Sequence, residues 1–303
     1  MDCEKAMNKI AETAQVAVSE QDDYTGDDGL LYCGKCKTAK QVRIPFGEFE
    51  GKVMYCTCKC KEEEYNRMMD SIKANEQQLE ISKNTSNAYF TDDDSAQKSE
   101  MLSWTFANSD NANLRLMQIC RAYCERFSPD IKWLILYGST GNGKSYAAGC
   151  IANELLSKGH TVKFFTMSQF ERRLFDSNSK QDVYSEALQA ELIVLDDLGM
   201  QRNSEYMNEI LFNLVDARLK NGKPMVITTN LTIDDLIGAQ SLAMQRIMSR
   251  LCEKSAVYHV HGDDRRVQKL KAESRGFLTD LLTTKGEEDE SVKQKDTVAE
   301  AQG

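Results

Sequence analysis

From about residue 104 the chain alternates between short apolar runs and longer stretches with apolar positions at helical spacing. The runs at 133–137, 161–166, 192–195, 225–229 and 256–260 are rich in Val, Ile, Leu and Phe. Such short runs read as strands. Between them, 145–158, 168–175, 204–220 and 242–252 read as helices. A further helix is expected at 113–127, where Leu114, Leu116, Met117, Ile119, Cys120 and Tyr123 recur at helical spacing. This alternation predicts an α/β fold, a parallel sheet flanked by helices.

The first hundred residues follow other patterns. Residues 1–20 read as a short amphipathic helix with Ile10, Val16 and Val18 among its apolar positions, and 21–29 is rich in turn formers. A small cysteine-rich module spans 31–60, with strand-like runs at 41–44 and 51–55. The stretch 61–81 is charged and lacks Gly and Pro, so it reads as a helix leaving that module. Residues 82–103 carry Asn84, Thr85, Ser86, Asn87 and the run Asp92-Asp93-Asp94 and read as a linker. The expected organisation is a module at 1–81, a linker at 82–103, an α/β domain at 104–277 and an acidic, disordered tail at 278–303.

With 41% apolar and 28% charged residues, the composition is that of a soluble globular protein. No apolar run approaches the roughly 18 residues of a membrane span, and Met1-Asp2-Cys3-Glu4-Lys5-Ala6 does not resemble a signal peptide. A cytoplasmic location is expected, with the ten cysteines reduced or bound to metal. The net charge of -9 argues against non-specific coating of nucleic acid, although a local basic groove is compatible with it.

The chemistry concentrates where the first strand of the α/β region ends. Leu134-Ile135-Leu136-Tyr137 runs into Gly138-Ser139-Thr140-Gly141-Asn142-Gly143-Lys144-Ser145, and a helix follows. Strand, glycine loop and helix start are the context in which Gly-x-x-x-x-Gly-Lys-Ser cradles phosphate. Lys144 would reach the β- and γ-phosphates of ATP, and the Ser145 hydroxyl would ligate Mg²⁺. The plainer alternative is a glycine turn with a solvated lysine.

A second apolar strand ends in Asp196-Asp197. Two charges there cost several kcal/mol to desolvate unless something pairs with them. Mg²⁺ at the phosphate loop would be that partner for Asp196, and Asp197 would polarise the attacking water. The alternative is an exposed Asp-Asp turn capping the next helix. Asn230 ends the strand at 225–229 and would point into the ligand crevice, or cap the helix that follows.

Taken in order, the phosphate loop, Leu195-Asp196-Asp197-Leu198-Gly199, Thr228-Thr229-Asn230, Arg246-Ile247-Met248-Ser249-Arg250-Leu251 and Gly262-Asp263-Asp264-Arg265-Arg266 resemble the AAA+ ATPases of the DnaC/DnaI helicase-loader group. The related IstB transposition helpers share this core. The resemblance covers about residues 104–277 and implies an AAA+ P-loop NTPase domain that hydrolyses ATP slowly. It implies that Asn230 is the polar sensor and that Arg250 is an arginine finger acting on ATP held by a neighbouring subunit of a homo-oligomer. Arg246 lies one helical turn earlier on the same face. Leu242, Ile247 and Leu251 would form the core side of that helix, with the arginines alternatively a solvated face. Arg266 matches the second sensor arginine, with Arg265 as its rival. By the same resemblance, the region after the second strand approaches single-stranded DNA. There Phe170-Glu171-Arg172-Arg173-Leu174-Phe175 mixes arginines and aromatics, or else turns Phe170 and Leu174 into the core.

Cys33-Gly34-Lys35-Cys36 and Cys56-Thr57-Cys58-Lys59-Cys60 form two knuckles suited to a tetrahedral Zn²⁺ site of ribbon type. Five thiols compete for four places. Cys33 and Cys36 are fixed, and spacing leaves open which two of Cys56, Cys58 and Cys60 join them. An iron–sulfur cluster or a redox dithiol is the alternative. Cys3, Cys120, Cys124, Cys150 and Cys252 lack such spacing and read as packed small apolar residues. Some helicase loaders carry an N-terminal metal-binding domain that contacts the replicative helicase, so the resemblance implies that role for 1–81. The expected function is that of an ATP-dependent helicase loader acting on the replicative helicase and single-stranded DNA. An IstB-like transposition helper and a non-hydrolysing ATP-bound adaptor are the rivals.

Overall fold

A computed structural model of the chain describes residues 22–90, 95–109, 113–176, 180–199, 205–232, 234–235, 238, 242–262, 264–267, 270–271 and 273–281. The reading of a helix at 1–20 lies outside these residues, as do Cys3 and all of the tail at 278–303 except residues 278–281, which are helical rather than disordered. The chain divides into two compact units, Met1–Leu79 and Glu80–Gly303.

In the first unit two short antiparallel pairs carry the cysteine module. β1 (Tyr24–Thr25) pairs with β2 (Leu31–Tyr32), and β3 (Gln41–Arg43) with β4 (Val53–Tyr55). Val42, Phe46, Phe49, Val53, Met54 and Tyr55 are all exposed, so these hairpins bury little of their own apolar surface. Helix α1 (Lys59–Ser86) follows and contains no buried residue. It starts two residues before the expected 61 and ends five after the expected 81.

The second unit is built on β5 (Trp133–Tyr137), β6 (Val162–Thr166), β7 (Leu192–Leu198), β8 (Met225–Thr229) and β9 (Ser255–His259). They form one sheet in the order β6-β7-β8-β5-β9, and every neighbouring pair is parallel. Alternate residues serve opposite faces. Leu134, Leu136, Phe164, Leu192, Val194 and Val226 face one core with α3 (Leu114–Glu125) and α4 (Lys144–Ser157). Trp133, Ile135, Phe165, Ile193, Leu195 and Ile227 face the other. That second core takes in α5 (Met167–Asp176), α7 (Glu205–Lys220) and α8 (Leu242–Lys254). The helices α2 (Ser95–Leu102) and α6 (Lys180–Gln189) were not read from the pattern, nor was the helical stretch at 273–281. β9 falls where the run at 256–260 was read as a strand. It lies at the sheet edge, with Val257 43% exposed.

One fully buried cation ties the base of this sheet together. Arg218 of α7 donates to the carbonyls of Leu188, Ala190, Glu191 and Pro224 at 2.5–3.4 Å. It thereby joins the end of α6 to the starts of β7 and β8.

Three expectations need correction. The stretch 82–103 is not a polar linker. Ala88, Tyr89 and Phe90 are buried, and residues 88–90 pair with the edge strand β6 through Phe164 N–H to Ala88 O (2.8 Å) and Phe90 N–H to Phe164 O (3.0 Å). The Tyr89 hydroxyl donates to Asn153 Oδ1 at 2.6 Å, and Phe90 stacks on Phe165 with 5.2 Å between ring centroids. Polar neighbours masked a three-residue apolar segment that covers a sheet edge. On α8, Ile247 and Leu251 are buried as expected, but Leu242 at the helix start is 74% exposed. Cys120, Cys124 and Cys150 are buried, whereas Cys252 is exposed because it falls on the outer face of α8.

Replacing Phe90 with Ala should therefore cost about 3–5 kcal/mol of stability, as for a core aromatic. Urea unfolding measures it, and a loss below about 1 kcal/mol would restore the linker reading.

Candidate nucleotide site and cysteine cluster

β5 delivers the glycine loop to the C-terminal edge of the sheet, and three of its glycines take conformations that L side chains rarely adopt. Gly138, Gly141 and Gly143 have φ of 143°, 77° and 93°. A Cβ at Gly138 would lie 2.5 Å from Val260 O, and one at Gly141 would lie 2.0 Å from the Asp264 carboxylate. Bonds to the chain after β9 fix the loop. Asn142 Nδ2 donates to Val260 O at 2.6 Å, Ser139 Oγ to Gly262 O at 3.3 Å, and Arg265 N–H to Gly141 O at 3.1 Å. The same bonds bring Arg265 and Arg266 over the loop.

Lys144 opens α4 and is 4% exposed. Its ammonium donates to Gly138 O (3.0 Å), Ser139 O (2.8 Å) and Asn142 Oδ1 (3.2 Å). Burial lowers its pKa, while the charges of Asp197 and Asp196 act the other way. The lysine thus sits in the field of both aspartates.

The two aspartates separate because β7 breaks register with β8 between Leu195 and Leu198. Asp197 takes a φ of 54°, left-handed backbone that Asp tolerates better than most residues. One hydroxyl holds both. Thr228 Oγ1 donates to Asp196 Oδ1 at 2.5 Å and accepts from Asp197 N–H at 2.9 Å. Asp196 is 7% exposed, and burial raises its pKa against the pull of the Thr228 and Ser145 hydroxyls. Asn230 Nδ2 lies 3.5 Å from Asp197 Oδ1. A buried carboxylate with two hydroxyl donors and no ion pair among the described residues fits a divalent cation held by Asp196 and Ser145.

A cavity of about 450 Å³ opens beside these groups, with Asp196 behind its lining rather than in it. Thr140, Gly141, Asn142, Gly143, Lys144, Ser145, Asp197, Asn230, Arg265 and Arg266 all line it. Both rival sensor arginines therefore reach the cavity. Arg265 is the more buried, while the Arg266 charge acts on Lys144. Arg250 and Arg246 do not line it. Both are exposed on α8, and Arg250 lies 3.6 Å from Asp216 and 3.7 Å from Glu253.

Glu100, Trp104 and Tyr146 complete the lining, and sequence reading did not single them out. The available signal was Gly149, a glycine inside a helix pattern. A Cβ there would fall 2.3 Å from the Trp104 ring, so the glycine is what lets Trp104 lie on α4. Asn153 pins the segment by donating to Met101 O and Trp104 O, each at 2.8 Å. The Tyr146 hydroxyl donates to Thr105 O at 2.9 Å.

After the second strand, Phe170 and Leu174 are in the core, and Phe170 stacks on Phe165 at 4.7 Å. The Arg173 guanidinium lies over the Phe90 ring at 4.5 Å. Of the two aromatics in that segment only Phe175 is exposed.

In the first unit, the Sγ atoms of Cys33, Cys36, Cys58 and Cys60 all lie within 4.8 Å of one another, and Cys33 and Cys58 are buried. Cys56 is not part of the cluster. It is exposed, and its thiol meets Ala39 O at 3.4 Å. It directly follows β4, while Cys58 and Cys60 lie at the start of α1. The Thr38 hydroxyl, 3.0 Å from Cys36 Sγ, pulls that thiol down to about 5, whereas hydrogen bonds from Cys58 and Cys33 push Cys60 up to about 12. Four crowded thiols in a unit with little apolar core fit a tetrahedral metal ion of the Zn²⁺ type.

A family model described as IstB-like ATP binding protein matches residues 60–273. The replicative helicase loader DnaC of Escherichia coli (strain K12) is 29% identical over 136 residues, 43% of this chain and 54% of that protein. The uncharacterized protein YdaV of the same strain is 31% identical over 118 residues, 38% of this chain and 46% of that protein. The chain thus spans about half the length of the curated relatives it matches. A crystal structure of DnaI superposes with a TM-score of 0.51 at 21% identity, covering 60% of this chain and 98% of that one, which shows a shared AAA+ P-loop fold. With the family match extending over most of the described residues, from α1 through the arginines at the cavity, the chain belongs to the IstB-like ATP binding protein family.

Proposed function

We propose that this chain is an AAA+ ATPase that acts as a replicative helicase loader, helping to place the helicase ring on single-stranded DNA in the cytoplasm. The observation that carries the ATPase reading is the single cavity that gathers the phosphate loop, Asp197, Asn230 and the two arginines. Among the described residues no helix is long and apolar enough to cross a membrane. Similarity to the DnaC loader supports the choice of partner.

The loop N–H groups and Lys144 bind the phosphates, the ammonium exchanging loop carbonyls for phosphate oxygens. Ser145 and Asp196 hold Mg²⁺, which neutralises charge on the phosphates when bound. Asp197, aimed by its backbone and by Thr228, accepts a hydrogen bond from the attacking water, and Asn230 orients that water. Arg266, with Arg265 beside it, stabilises charge on the γ-phosphate. Trp104 and Tyr146 offer flat apolar surface to the base. Arg250 faces away from its own cavity, so it acts as a finger on the ATP of a neighbouring copy in a homo-oligomer. Cys33, Cys36, Cys58 and Cys60 hold Zn²⁺, which gives the module the folding free energy its hairpins lack. The module then grips the helicase.

The family model's own description favours one second reading, an IstB-like transposition helper. A pull-down from the host with ATP should retain the replicative helicase, and deleting residues 1–81 should abolish retention. Retention of a transposase instead would decide for the helper.

Lys144→Ala should weaken ATP binding by at least about a hundredfold in a fluorescent-nucleotide titration. Arg250→Ala should leave ATP binding intact and slow turnover by about 10³-fold, measured with helicase and single-stranded DNA present. Wild-type turnover by that variant would sink the finger assignment, and no turnover by the wild type would leave a non-hydrolysing adaptor. Cys58→Ser should lose bound zinc in metal analysis while Cys56→Ser keeps one ion per chain. Equal loss in both would reject the four-cysteine assignment.

A further inference from the structure

The chain after β9 lies on the glycine loop, and it places a carboxylate there that nucleotide binding does not explain. A Cβ on Gly141 would fall 2.0 Å from Asp264 Oδ1 and 2.3 Å from its Cγ, so the carboxylate rests against the bare Cα of that glycine. Asp264 is half-buried and does not line the cavity. A negative charge behind a loop that cradles phosphates repels the ligand. Its placement therefore asks for another role.

The bonds around Asp264 supply that role. Its Oδ1 accepts from Arg266 N–H at 2.9 Å. Residues 265–267 are helical, so the carboxylate caps the turn that carries both arginines. The Arg265 N–H in turn donates to Gly141 O at 3.1 Å. Gly141 thus seats Asp264, Asp264 holds the Arg266 backbone, and Arg265 returns to Gly141. Both arginines line the cavity at its phosphate loop. A Cβ on Gly143 would come within 3.4 Å of Arg265 Cζ. Lys144, lowered first by burial, also feels the Arg266 charge.

We propose that Asp264 is the positioning residue of this arginine pair. Seated on Gly141, it fixes Arg265 and Arg266 where they meet the γ-phosphate, a role that holds only if the pair stabilises charge there. A group that must be ordered on binding costs more than one already held in place. Asp264 lowers that cost for ATP and does nothing for ADP, which has no γ-phosphate. A cap that merely kept the loop folded would serve both nucleotides alike.

The test compares the affinities of the full-length protein for ADP and for a non-hydrolysable ATP analogue, both with Mg²⁺, by competition against a fluorescent nucleotide. Asp264→Ala should lower the ratio of triphosphate to diphosphate affinity about fivefold, the scale of a lost cap. Asp264→Glu keeps the charge but cannot both rest on Gly141 and reach Arg266 N–H, so it should fall with Asp264→Ala. It also gives the reading should the alanine variant not fold. Asp264→Asn keeps the acceptor and the shape, so its ratio should stay at the wild-type value. With Arg265→Ala/Arg266→Ala already in place, Asp264→Ala should lower the ratio no further, because the pair it positions is gone. If the double-arginine variant keeps the wild-type ratio, the γ-phosphate role of the pair fails and the proposal falls with it. If that variant loses the ratio while Asp264→Ala and Asp264→Glu keep it, or weaken both nucleotides equally, only the positioning role is overturned.

Discussion

The parallel register of β5, β7 and β8 is the constraint on which the candidate site rests. Strands that run the same way end at the same edge, so the groups that follow each strand meet there. β5 runs into the glycine loop, β7 carries Asp196 and Asp197 just before its end at Leu198, and β8 ends in Thr228 and Thr229 with Asn230 next. The Thr228 hydroxyl shows how tightly the edge is set. It bonds to both aspartates of the neighbouring strand at once. Loss of register by one residue would turn that side chain to the other face and leave a buried carboxylate without its donor.

Most of this second unit was legible in the sequence, for a simple reason. Strands covered on both faces must be apolar throughout, and the helices between them must show a stripe, so both signals are strong. The loop, the aspartates and the asparagine stand next to such strands, and their surroundings identify them. What escaped notice depends on contacts between distant segments. Ala88-Tyr89-Phe90 is three residues long and hidden among Asn and Asp, yet it covers the edge of β6. Trp104 gains its position from Gly149 and Asn153, some 45 to 49 residues later in the chain. Arg218 reads as one more charge in the last turn of a helix, and only the fold reveals that it is wholly buried.

The cysteine module illustrates the opposite case. Its spacing pointed to a candidate metal site, but five thiols for four places could not be ranked without three-dimensional positions. β4 ends before Cys56, and α1 begins just after Cys58, so that Cys58 and Cys60 turn inward while Cys56 stays outside. The exposed apolar residues of β3 and β4 also explain why the hairpins alone make a poor core.

The glycine loop is anchored by Val260 and Gly262, which lie well over a hundred residues after it in the chain. Its shape is therefore borrowed from the far end of the domain rather than written in its own eight residues. A cassette of Gly138 to Ser145 moved into another scaffold would carry the glycines and the lysine but not the carbonyls that hold Asn142 and Ser139 in place. In this sense the loop is not portable. The unit that can be exchanged, inherited or recombined intact is the whole sheet with its edge strand, not the motif by which the sheet is recognised.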